Sequence, residues 1–85
     1  MPELSRFLGR FIKKANYIKD YKIEITFDNN KTKIVDLKDH LTGEVFKPLK
    51  DIVYFRNFKV DEELDTIVWE NGADIAPEFL YEIGK

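Results

Sequence analysis

Residues 21–27 constrain the fold more than any other stretch: Tyr21, Ile23, Ile25 and Phe27 alternate with Lys22, Glu24 and Thr26. That is the period of a strand with one face in a core and the other in water. Asp28-Asn29-Asn30-Lys31 follows, and an Asn-Asn pair tolerates the positive φ that tight hairpin turns require. The run 32–37 is therefore expected to pair back antiparallel. A loop of Asn29 and Asn30 would set Asp28 opposite Lys31, Phe27 opposite Thr32 and Ile25 opposite Ile34, so that a charge pair and an apolar pair both agree with the register.

Upstream, Leu4, Phe7, Leu8, Phe11 and Ile12 recur at helical spacing, with Arg6, Arg10, Lys13 and Lys14 on the other face. Gly9 fits a helix end better than a helix interior. The reading is a short helix or extension over 1–10, then a strand over about 11–18 turned by Lys19 and Asp20. After Leu37 come turn formers, Asp39, His40, Thr42 and Gly43, and then Pro48, which forbids a central strand. Asp51 is placed to cap a short helix over 52–55. Phe58 and Val60 alternate as a strand whose partner is the β-branched run 66–69, with 61–65 as the polar turn. Pro77 marks the first turn of a terminal helix over 76–83 with Phe79, Leu80 and Ile83 facing the core.

These elements predict one α+β domain over 1–85, its core in 11–83. The expected architecture is two-layered: an antiparallel sheet of about four or five strands with one or two short helices packed on it.

Composition narrows the chemistry. With no Cys, one His and one Ser among 85 residues, disulfides, thiolate metal sites, thiol nucleophiles and hydroxyl-imidazole relays lose their residues. The longest unbroken apolar run, 52–55, is far short of the ~20 residues of a membrane span, and no leader pattern opens the chain. A cytoplasmic protein with no cofactor and no membrane association is expected.

Four constellations remain. Asp36, Asp39, His40 and Glu44 could in principle hold a divalent cation, but their spacing matches no known motif and suits turns and caps. The acidic run Asp61, Glu62, Glu63 and Asp65 reads as a solvated turn, since a carboxylate pair needs a cleft and a raised pKa to catalyse. The N-terminal third interleaves Arg6, Arg10, Lys13, Lys14, Lys19 and Lys22 with Phe7, Phe11, Tyr17 and Tyr21, a pattern that stacks bases between phosphate contacts in some nucleic-acid binders. The net charge of -2 weighs against that use. It hides a split, however: residues 1–50 carry 11 basic and 7 acidic side chains, net +4, and 51–85 carry 3 and 9, net -6, so electrostatic steering of a partner is expected. Last, Trp69 followed by Asn71-Gly72-Ala73-Asp74 reads either as a packed Trp with an Asn-Gly turn and Asp74 capping the final helix, or as a partner-binding loop.

The residues from Tyr21 to Tyr81 resemble the bacterial domain of unknown function 2442 family. The likeness rests on Tyr21 with Ile25-Thr26-Phe27-Asp28-Asn29, Asp36-Leu37, Gly43 with Val45-Phe46 and Pro48-Leu49, Asp51 with Phe55, and Val60-Asp61. It continues through Thr66-Ile67-Val68-Trp69, Asn71-Gly72-Ala73-Asp74, and Pro77 with Leu80-Tyr81. Asn30 stands where that family usually has Gly, and Glu70 where it usually has Pro. The resemblance implies a small two-layer α+β fold; the family has no established activity, so the resemblance carries over no catalytic residue. It also implies a gene arrangement similar to toxin-antitoxin pairs; the C-terminal helix-turn-helix of some members has no counterpart before Lys85. The expected function is thus a non-enzymatic protein-interaction module, antitoxin-like, binding a small protein partner through a sheet edge or the 69–74 surface. The alternatives are a nucleic-acid-associated accessory protein using the basic face and an enzyme with a carboxylate-only site. The candidate partner-binding residues are Trp69, Asn71, Asp74, Arg10, Lys13 and Lys14, and an N-terminal edge strand could also support a homodimer.

Overall fold

The computed structural model describes residues 11–85. The expected N-terminal helix, with Arg10, lies outside the described residues. Three strands, β1 (Ile12–Lys19), β2 (Lys22–Phe27) and β3 (Thr32–Asp36), form an antiparallel sheet in the order β1-β2-β3. The alternation of β2 places Ile23, Ile25 and Phe27 in the core and leaves Lys22, Glu24 and Thr26 half-buried on the outer face. A tight turn at Asp20, with φ of 49°, joins β1 to β2. The β1–β2 register shifts twice, between Ile12 and Lys14 and between Tyr17 and Lys19; such bulges bend and twist an edge strand.

The β2–β3 hairpin forms, but its register differs from expectation by one residue. Ile25 pairs with Lys33, Thr26 with Thr32, Glu24 with Ile34 and Ile23 with Val35, and the Phe27 N–H donates to the Lys31 carbonyl at 2.9 Å. The loop therefore holds Asp28, Asn29 and Asn30, not two residues. Its geometry explains why: Asn29 Oδ1 accepts the Lys31 N–H at 3.1 Å, and only Asn30 takes a positive φ, 67°, as a three-residue hairpin loop requires. A one-residue slip exchanges the faces of a strand. Val35 is accordingly 0% exposed and Ile34 37%. Lys33 moves to the inner face, where its ammonium donates to the Tyr81 carbonyl at 2.8 Å and lies 3.8 Å from the Tyr81 ring centroid.

Beyond Leu37 the chain runs through two 3-10 segments, Lys38–His40 and Glu44–Lys50, into a one-turn helix α1 (Ile52–Phe55). As expected, Asp51 caps α1, accepting the Val53 N–H at 3.0 Å. Strands β4 (Lys59–Asp61) and β5 (Thr66–Val68) pair antiparallel as a second, two-stranded sheet, and helix α2 (Pro77–Ile83) closes the chain with Pro77 in its first turn. The five described strands of the α+β domain are thus divided three and two. The sheets meet where the Ile12 N–H donates to the Asp65 carbonyl at 3.0 Å.

Phe55 anchors the core between them, its ring edge-on to Tyr17 and Tyr21 and 5.8 Å from Trp69. Leu80 of α2 is fully buried, while Phe79 and Ile83 are half-buried. Among the described residues, no helix is long and apolar enough to cross a membrane.

Candidate functional site

The loop 69–74 is built around its tryptophan. Trp69 is 3% exposed, and its Nε1–H donates to the Phe55 carbonyl at 2.7 Å, which supplies the partner a buried indole requires. Its backbone closes a tight turn, the Gly72 N–H donating to the Trp69 carbonyl and the Trp69 N–H to the Ala73 carbonyl, each at 2.9 Å. Gly72 has φ of +90°, a conformation that side chains other than hydrogen strain. Asn71 locks the turn at both ends of its amide: Oδ1 accepts the Ala73 N–H at 3.0 Å, and Nδ2 donates to the Val45 carbonyl at 2.9 Å. Trp69 is therefore core, not contact surface, and Asn71 is a clamp between two segments.

Asp74 does not cap α2. The cap position is Ala76, without a side-chain hydrogen bond, because Asp74 is held two residues earlier in a β-bridge to Val68. Its exposed side chain instead lines a cleft of about 420 Å³. The polar lining of that cleft is Asp39, His40, Thr42 and Asp74; the apolar lining is Phe46, Ile75, Ala76 and Phe79. Buried Leu37 and Leu41 fix the 3-10 segment that carries Asp39 and His40. The His40 ring lies edge-on to Phe79 with centroids 5.2 Å apart.

The cleft joins half of one sequence constellation to the end of another. From the first group it takes Asp39 and His40, while Asp36 is spent on a turn, its Oδ1 accepting the Lys38 N–H at 3.0 Å. No group of three or more potential ligands among the described residues is arranged to hold a metal ion. Thr42, Phe46 and Phe79 belong to the cleft, although the sequence offered them only as a turn former, part of the family likeness and a core residue, not as site residues.

The remaining constellations disperse. In the acidic turn, Asp61 Oδ1 accepts the Glu63 and Leu64 N–H groups at 2.8 and 3.1 Å, so that carboxylate shapes its own loop. In the basic segment, Tyr17 and Tyr21 turn inward onto Phe55, with the Tyr21 hydroxyl bonded to the Lys50 carbonyl. Phe11 stays 45% exposed. Lys13 donates to Asn30 Oδ1 at 2.9 Å, and Lys14 is exposed at a β1 position opposite Thr26. Among the described residues, Lys13 and Lys14 thus stay exposed while the two tyrosines pack inward; Arg6, Phe7 and Arg10 of that pattern lie outside them.

No curated protein and no solved structure matches the chain. A family model described as a protein of unknown function, DUF2442, matches residues 12–85. Because the match takes in every described strand and helix, the chain belongs to the DUF2442 family.

Proposed function

We propose that the protein is a non-enzymatic protein-interaction module, the antitoxin-like member of a two-protein pair, and that it is recognised at the cleft between Asp39 and Asp74. One observation carries the reading: a loop rigidified by Trp69 and Asn71 delivers Asp74 to an open cleft whose walls include two half-buried phenylalanines. Preorganised apolar surface with a few fixed polar groups is what a partner side chain can enter without an ordering cost. The cleft replaces Trp69 itself as the contact, since the indole is enclosed.

The test is affinity capture of the tagged protein from its own host at native abundance, with quantification of what co-elutes. One protein at near-equimolar amount supports the reading. Absence of any stoichiometric protein, with the product of the adjacent gene present in the lysate, contradicts it.

A further inference from the structure

We propose that the cleft between Asp39 and Asp74 accepts an arginine side chain of the partner, the guanidinium meeting the two carboxylates and its stem resting on Phe46 and Phe79. The assignment deepens the interaction reading and rests on it for the source of the arginine. Size comes first. At about 420 Å³, the cleft falls within the roughly 300–1,000 Å³ of ligand sites, with room to spare for one long side chain.

Charge decides the sign of the occupant. The lining includes two carboxylates and, apart from the His40 imidazole that packs on Phe79, no basic side chain, and no described hydrogen bond ties the Asp39 or Asp74 carboxylate to another group. An apolar plug would strip water from both without replacing its hydrogen bonds, which is costly. An anion fares worse. Two carboxylates repel it, Pro77 has no N–H to offer it, and the Phe79 and Leu80 amides already donate to the Ala76 carbonyl at 3.1 and 3.2 Å.

The aromatics select among cations. A guanidinium is planar, stacks on aromatic faces and bonds carboxylates through a fork of N–H groups, whereas an ammonium is a compact, strongly hydrated point charge. The cleft offers both an aromatic wall and two acceptors, the combination that favours arginine. Arginine is also among the residue types that dominate binding energy at protein interfaces.

The experiment is an amide-resolved NMR titration of the isolated protein with N-acetyl-arginine methylamide, its lysine counterpart and its citrulline counterpart, the last nearly isosteric but neutral. Arginine amide is expected to bind in the millimolar range, shifting the amides of Asp39, His40, Phe46, Asp74 and Phe79. Its affinity should exceed that of citrulline amide by roughly 3- to 30-fold at low salt, with the gap narrowing at high salt. In an Asp39→Asn/Asp74→Asn variant with an unchanged melting temperature, that preference should vanish. Equal binding of citrulline or lysine amide, or shifts confined to another face, would overturn the assignment. The titration is independent of the capture experiment: citrulline parity sinks the arginine site even where a partner is captured, and an empty capture sinks the interaction reading even where arginine amide binds.

Discussion

Replacing Trp69 by Phe separates structure from recognition. The substitution removes the Nε1–H that the Phe55 carbonyl accepts at 2.7 Å inside the core, and a buried group left without its partner costs about 1–3 kcal/mol. It also leaves a void of a few tens of cubic ångströms next to Phe55 and Phe58, worth about 1 kcal/mol at ~24 cal/mol per Å³. The sum is about 2–4 kcal/mol. A domain of this size has on the order of 4–13 kcal/mol in total, so the melting temperature should fall by roughly 10–30 °C. Urea unfolding followed by far-ultraviolet circular dichroism measures this without needing the lost fluorophore. Below the new transition, capture of the partner should be unchanged, because the indole is enclosed. A stability loss under about 0.5 kcal/mol would refute the packing role, and loss of the partner from a fully folded W69F protein would refute the conclusion that Trp69 is not a contact.

The hairpin register makes a second contrast. Val35→Ala should cost about 1.5–3 kcal/mol and Ile34→Ala, at a site 37% exposed, clearly less, about 1 kcal/mol, read as shifts in the urea midpoint; the reverse order would restore the two-residue loop. Gly72→Ala meets no atom within 4 Å but must adopt φ of +90°. A destabilisation of about 1–2 kcal/mol is therefore expected from backbone strain alone, and a neutral result in the same assay would show that the turn relaxes.

Much of the fold was legible because local patterns matched their burial. The strict alternation at 22–27 is the strand at the centre of the main sheet, and Pro77 and Asp51 stand at the helix starts they were assigned. The register of β3 was not legible, since Ile34 and Val35 are adjacent apolar residues and either could face inward. The loop decided it, through an Asn29 side-chain bond and a single positive φ at Asn30. The cleft was equally hidden. Asp39 and Asp74 are far apart in sequence, and what unites them is a set of tertiary bonds, from Asn71 to Val45 and from Asp74 to Val68. The division of charge along the chain likewise did not reveal that the Ile12 to Asp65 hydrogen bond sets the acidic turn against the start of the basic strand.

The most direct measurement compares partner capture by the wild-type protein and by the Asp39→Asn/Asp74→Asn variant, at native abundance and with matched melting temperatures. Recognition at the cleft requires near-equimolar partner on the wild type and a loss of about tenfold or more on the variant, the combined effect of two charge-assisted contacts. Equal capture by both proteins would place recognition elsewhere on the surface.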